Sequence, residues 1–193
     1  MKVHLKNVRL CFAHNVFTAS KPAVATADVK EKYRGEFLVE VGSENHTNMK
    51  AAIHAEAVRE WGEKATDNLK AVAATGKVWC LRDGDLKERP EYKGKLVVSA
   101  KNEIRPLVID QNRGPVDKES GRIYSGCYVN AIIDVKAGSK PSKQLYAYLL
   151  GVQLHADGER LSGSVAAADD FEALPGAEAA KVETSGKGAA SLF

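Results

Sequence analysis

The sequence predicts a mainly β protein of the α+β type: a small barrel with one helical insertion and a disordered, acidic C-terminal tail. Apolar residues alternate with polar ones in several short segments, as in half-buried strands. One stretch, residues 44–61, changes to three- and four-residue spacing, and from about Ser162 small, polar and charged residues prevail. The boundaries that follow are 1–161 for the folded domain, with its helical insertion at about 44–75, and 162–193 for the tail.

Lys2 to Phe12 reads as the first strand, with Val3 and Leu5 on one face and Val8, Leu10 and Phe12 on the other. The change of phase near Asn7 points to a β-bulge. Residues 13–32 have no clean period and contain Pro22, so they read as a loop. In Tyr33 to Val41, Tyr33, Phe37, Val39 and Val41 alternate with Arg34, Glu36, Leu38 and Glu40, giving a strand with one buried face.

Gly42 and Ser43 then start a helix, and Met49, Ala52, Ile53, Ala57, Val58 and Trp61 mark its apolar face. A second helical piece runs from Glu63 to about Thr75, and Gly76 ends it. Lys77 to Leu81 is a short strand, Arg82 to Asp85 a turn built on Asp-Gly, and Glu88 to Gly94 a loop broken by Pro90. Leu96–Ala100 and Leu107–Ile109 are strands, with a turn at Asp110 to Gly114.

Tyr124 to Val135 alternates most clearly: Cys127, Val129, Ala131, Ile133 and Val135 form one wholly apolar face, and the other carries Tyr124 and Tyr128. Gln144 to Leu154 is its partner, with Tyr146 and Tyr148 on one face. Several strands around a helical insertion suit an OB-type five-stranded barrel, although the pattern alone also admits other α+β folds.

Composition narrows the function. The chain of 193 residues is 44% hydrophobic and 27% charged, with no apolar run long enough to span a bilayer, and its first residues do not resemble a signal peptide. The expected location is the cytoplasm of the cell in which it is made. Cys11, Cys80 and Cys127 are widely spaced and read as buried free thiols. The net charge of +3 divides unevenly: residues 168–193 hold five acids and two bases, which leaves +6 on residues 1–167. A basic body with an acidic tail suits a protein that binds a polyanion, as does ordinary surface charge.

Sites for bond chemistry are not evident. Asp83, Asp85 and Glu88 beside Arg82 match no calcium loop, and acids in a turn are commonly just solvated. The five histidines have no zinc spacing, and Ser185-Gly-Lys-Gly188 lacks the flanking residues of a phosphate-binding loop. No cofactor is expected. The remaining set is aromatic and basic: binding a single strand without sequence preference needs cations along the phosphates and flat rings under the bases. Lys101, Arg105, Arg122 and Lys136 supply charge, and Tyr124, Tyr128, Tyr146 and Tyr148 supply rings, with Trp79 as a weaker candidate. Packing at the barrel ends is the competing role for these tyrosines, and for Tyr33 and Phe37 it is the better one.

The stretches Gly94 to Asp110, Ile123 to Asn130, Leu149 to Leu154 and Asp157 to Leu161, with Asp169-Asp-Phe171, together resemble a family of phage single-stranded DNA-binding proteins. The ordered combination Ala-Lys, Arg-Pro, Tyr-Ser-Gly-Cys-Tyr-Val, Gly-Val-Gln, Gly-Glu-Arg carries the resemblance. It implies an OB fold with extra elements, binding of single-stranded DNA without sequence preference, and a role in phage replication or recombination. It also implies an acidic tail that competes with DNA and recruits phage or host replication and recombination proteins. Asp169, Asp170 and Phe171 have the acid-acid-aromatic order, but 22 residues before the end, and the terminal Phe193 lacks adjacent acids. Here the sequence departs from the family pattern.

The expectation is therefore a binding protein and not an enzyme, with single-stranded DNA as partner and no membrane. Two other readings compete with it. A metal-dependent nuclease would need Asp83, Asp85 and Asp110 to converge, and a protein-interaction module would use the amphipathic helix, with the tyrosines buried.

Overall fold

Ten residues of alternating character open the chain as β1 (Lys2–Cys11), but strict alternation would send Val8 and Leu10 to the opposite side from Val3 and Leu5. A bulge prevents this. Asn7 adopts φ of +50°, the pairing with the neighbouring strand slips between Leu5 and Val8, and all four side chains enter one core. The sequence expectation of two faces is corrected here: the phase change is what keeps both sets inside. The Asn7 N–H is satisfied by Asn130 Oδ1 at 3.0 Å.

The computed structural model describes residues 1–21, 29–75, 80–140 and 142–161. The expected disordered tail, 162–193, lies outside them. After β1 come α1 (His14–Phe17), β2 (Tyr33–Glu40), α2 (Glu44–Trp61), α3 (Ala65–Thr75), β3 (Leu81–Asp83), β4 (Lys95–Asn102), β5 (Leu107–Ile109), β6 (Tyr128–Gly138) and β7 (Gln144–Ala156). No helix among the described residues is long and apolar enough to cross a membrane.

The strands form one sheet in the order β3-β4-β2-β1-β6-β7-β5, antiparallel except for β5 beside β7. Five long strands, β1, β2, β4, β6 and β7, have the connectivity of an OB barrel, as expected, but two short strands join them and the ladder does not close. The backbone groups explain the gap. The outer edge of β4 pairs with β3 over Leu96–Val98, and that of β7 pairs with β5 over Gly151–Gln153. Asn102 spans the seam instead, donating from Nδ2 to the Leu149 carbonyl at 3.0 Å.

The β6–β7 pair repeats the device seen in β1. Its register slips between Ile132 and Ile133, so that Leu150 is extra and Leu145, Ala147 and Leu149 point inward together with Val152 and Leu154. In β2, Phe37 and Val39 fill the core as expected, and Gly35 leaves space that the Phe37 ring occupies. Leu38, on the other face, is buried too. A second small cluster of Cys11, Leu38, Tyr92 and Val97 covers the outer side of the sheet there.

Ser43 caps α2, accepting the His46 N–H at 3.3 Å, and Gly62, with φ of +57°, ends it. Met49, Ala52 and Ile53 enter the barrel core, and full burial of Met49 and Ile53 contributes about 1.5–3 kcal/mol each. Val58, expected on this face, is exposed, and its place is taken by Glu56.

Other expectations are refined. The loop at 13–32 contains α1, which buries Val16 and Phe17. The turn at 82–85 is the end of β3 followed by a 3-10 turn, in which Asp83 accepts the Asp85 N–H. The loop at 88–94 contains a second such turn that seats Tyr92 at 1% exposure. The strand expected at 77–81 begins only at Leu81 within the described residues. All three cysteines are free and buried as expected, and burial raises each thiol pKa, that of Cys80 to about 12.

The strand expected from Tyr124 begins at Tyr128, because Gly126 turns the chain with φ of +115°. A side chain there would have its Cβ 2.0 Å from the Glu159 carbonyl oxygen. Gly126→Ala should lower stability by about 2 kcal/mol or more in urea unfolding. Glu56 gives a pH test. Burial raises its pKa, but the bonds from Arg59 and the Met1 amine outweigh that and hold it below 4.5. A carboxylate lowered in this way stabilises the fold above that pH and loses its contribution as the pH falls through the depressed value. Glu56→Gln should be less stable than wild type at neutral pH and show a shallower decline between about pH 5 and about pH 3, measured by urea midpoints.

Candidate nucleic-acid interface

The register of β2 with β4 places Arg34 opposite Lys101 on the outer side of the sheet, because Gly35, Phe37 and Val39 take the inward positions. Lys32 and Arg82 lie close enough to act on the same ammonium. Partial burial first, and then the charges of Lys32, Arg34 and Arg82, hold the Lys101 pKa below the usual lysine value. Lys32 is bonded to Glu103 at 3.2 Å and Arg34 donates to Ser20 Oγ at 3.4 Å, whereas no carboxylate among the described residues pairs with Lys101. Like charges gathered in this way repel one another, and a bound polyanion would relieve the repulsion.

Beside this row, the segment from Gly84 to Gly94 lies on the sheet. Tyr92 packs on Cys11, Leu38 and Val97, its hydroxyl donates to Glu36 Oε2 at 3.3 Å, and Lys87 pairs with the same carboxylate. Lys87 thus lies against the sheet over the Tyr92 ring, and the more exposed Arg89 pairs with Glu91 of the same segment at 3.7 Å.

The other expected contact residues fall in several places. Arg105 is exposed in the turn after β4. Arg122 donates to Asp110 Oδ2 at 2.8 Å and to Gln111 Oε1 at 3.1 Å, and this contact, followed by the Gly114 N–H, lowers the Asp110 pKa. Lys136 pairs with Asp134 at 3.3 Å. Two of the four expected cations thus already have carboxylate partners.

Among the aromatics, Tyr124 lies in the connection before β6, not on the strand with Tyr128. Its hydroxyl contacts Asp157 Oδ1 at 3.1 Å and the Gly158 carbonyl at 2.9 Å, and its ring lies under the Arg160 guanidinium at 4.2 Å. Together with Arg122 it lines a cleft of about 450 Å³. Tyr128 begins β6, opposite Arg9 on β1. Tyr146 and Tyr148 face outward on β7 with centroids 5.4 Å apart, edge to face, opposite Lys136 and Asp134. Burial first, then the hydrogen bond with Tyr148, raises the Tyr146 pKa. Trp79, Asp169, Asp170, Phe171 and Phe193 lie outside the described residues.

Arg34, Lys32 and Arg82 were not among the expected phosphate contacts. Alternation in β2 puts Arg34 outward, but only the pairing of β2 with β4 shows that it meets Lys101. A groove of about 450 Å³ across β1, β5, β6 and β7 is lined by one lysine, Lys6, which pairs with Glu44 at 3.4 Å, so it offers no cationic path. Asp83, Asp85 and Asp110 each accept backbone N–H groups in turns, and no group of three or more metal-ligating side chains occurs among the described residues. The apolar side of α2, which the interaction-module reading needs exposed, is in the core.

Two of the sequence stretches that carry the resemblance meet in space. The Ser125 carbonyl accepts the Leu161 N–H at 2.9 Å, Gly126 abuts Glu159, and Arg9 donates to the carbonyls of both Gly126 and Glu159. A Cβ on Gly158 would lie 2.3 Å from the Gly126 carbonyl oxygen.

Residues 1–183 match the protein family described as Enterobacter phage Enc34, ssDNA-binding protein. Protein p50 of Acyrthosiphon pisum secondary endosymbiont phage 1 is 37% identical over 181 residues, 92% of this chain and 96% of that protein. Among solved structures, the single-stranded DNA-binding protein from bacteriophage Enc34 in complex with ssDNA aligns with a TM-score of 0.59 at 23% identity, covering 83% of this chain and 89% of that one. Another structure of the Enc34 protein gives 0.57 at 22% identity, covering 88% of each chain. These structural likenesses show a shared fold.

Tyr124→Phe removes the hydroxyl that joins the β6 entry to the segment after β7. It should cost about 1 kcal/mol in thermal or urea unfolding.

Proposed function

This chain belongs to the family of the Enterobacter phage Enc34 ssDNA-binding protein, and we propose that it binds single-stranded DNA without sequence preference, protecting and organising it during phage DNA replication and recombination. The observation that supports this most directly is the cross-strand pair Arg34–Lys101, with Lys32 and Arg82 beside it, on the outer side of β2, β3 and β4. In OB barrels the face of the second and third barrel strands is a common nucleic-acid surface, and those strands here are β2 and β4.

In this reading Lys101, Arg34 and Arg105 follow the phosphates. Tyr128, beside Arg9, offers a ring to a base. Arg122, Tyr124, Lys136, Tyr146, Tyr148 and Trp79 are further contacts if the strand wraps beyond this face. Residues 1–161 form the DNA-binding domain, and 162–193 form an acidic tail whose Asp169, Asp170, Phe171 and Phe193 engage replication or recombination proteins of phage or host. Binding requires no cofactor and makes or breaks no bond, so the protein is not an enzyme. It works in the cytoplasm of the host cell, where phage DNA replicates.

Fluorescence anisotropy of a labelled oligo-dT across a salt series tests the proposal. Affinity should fall steeply with salt, and duplex competitor should displace the strand poorly. The double variant Arg34→Ala/Lys101→Ala should reduce the slope of log K against log salt by about 1.4, since each phosphate contact on a single strand contributes about 0.7. An affinity that does not change with salt would remove the phosphate-tracking site.

A further inference from the structure

We propose that Phe12 is a base-stacking platform of this interface, with the more exposed Arg89 as the cation that receives a phosphate flanking the stacked base. This rests on the single-strand-binding function proposed above and assigns a subsite within it.

Phe12 follows the last residue of β1 with φ of +53°, a left-handed backbone that a bulky L-residue adopts only at a cost. Its neighbours Cys11 and Ala13 are buried, yet Phe12 itself is 36% exposed. An asparagine or glycine would relieve the strain at this turn, so the backbone does not account for a phenylalanine here. Strain retained under an exposed aromatic ring points toward function.

Two cations lie near that ring. Arg89 Cζ is 5.5 Å from its centroid and also pairs with Glu91 at 3.7 Å, whereas Lys87 Nζ, 5.6 Å from the Phe12 centroid, is closer to the Tyr92 ring at 4.7 Å and is paired with Glu36. Both come from the Gly84–Gly94 segment, which Tyr92 and the Lys87–Glu36 pair hold on the sheet. The geometry is that of a cation–π contact, and a nucleobase can take the place of the guanidinium on the ring while the displaced Arg89 moves onto phosphate.

Contacts place this ring on the same surface as the basic row. Cys11, the last paired residue of β1, is opposite Glu36, and Lys87, which pairs with Glu36, lies 5.6 Å from the Phe12 ring; Glu36 is two residues along β2 from Arg34, whose partner is Lys101. A strand that runs along Lys101 and Arg34 would meet Phe12 next. The ligand class is a single-stranded polynucleotide of any sequence, because every base presents a π face.

The test uses the full chain and three variants, Phe12→Ala, Phe12→Leu and Phe12→Trp, with oligo-dT and an abasic oligomer of equal length. Phe12→Ala and Phe12→Leu should each weaken oligo-dT binding about tenfold, about 1.4 kcal/mol, with the salt slope and the unfolding midpoint unchanged. Phe12→Trp should bind as wild type does, and its added tryptophan fluorescence should be quenched by oligo-dT but not by the abasic strand. If wild type binds and Phe12→Leu binds equally well, the stacking assignment is wrong and the function stands. If Phe12→Trp is quenched equally by both strands, the ring does not stack on a base and the assignment is again wrong. If wild type binds neither strand, the function itself fails, and this subsite with it.

Discussion

Two one-residue slips, at Asn7 in β1 and at Leu150 in β7, decide how this sheet can have a single interior. A strand has a side-chain period of two, so an uninterrupted β1 would bury either Val3 and Leu5 or Val8 and Leu10, but not both pairs. With the slips, every one of these side chains and both halves of β7 reach the same core. The bends that accompany bulges also help a flat ladder curl into a barrel. The seam between β4 and β7, the position of α2 over the interior and the outward direction of Arg34 and Lys101 all follow from that inward set.

The outer side of β2 and β4 is built in two parts. Near Leu38 and Val97 the sheet is covered by Tyr92 and its segment, which form a small apolar layer where polar residues would ordinarily meet water. Near Arg34 and Lys101 the sheet is cationic. The Gly84–Gly94 segment therefore has two roles. It protects the apolar half of the face, and it brings Lys87 and Arg89 to the border with the charged half, over Phe12. The chain after β7 adds a further fixed edge, through Gly126, Gly158 and the Arg9 bonds to backbone carbonyls.

Much of the fold could be read in advance, for identifiable reasons. The helix at 44–61 has a cap at Ser43, a glycine at 62 and a regular apolar period, and the structure places it at those bounds. Strands whose two faces differ, such as β2 and β6, declared themselves through alternation. Elements whose structure depends on distant partners did not. The start of β6 was extended back to Tyr124 because alternation continues through Gly126, and the close approach of Glu159 that turns the chain there is contributed from residues 33 positions away. Val58 fits the apolar period of α2, yet Glu56 is buried in preference, because Arg59 and the Met1 amine compensate its charge.

By itself, the sequence determined the class of the fold, the helical insertion, the buried thiols and, through its specific motifs, the family. Those properties are local in the chain, or are carried by short ordered words. The tertiary structure decided which side chains share a surface. Lys101 was legible as a candidate, but Arg34 is 67 residues away and joins it only through the pairing of β2 with β4. Arg122 and Lys136 had the right charge in the sequence, and only the fold shows that Asp110 and Asp134 compensate them. Phe12 read as one more apolar residue of a strand until the backbone was seen to turn left-handed beneath it. Periodicity reports which side of its own element a residue faces, whereas a binding surface is assembled from several elements, and their register is set by packing.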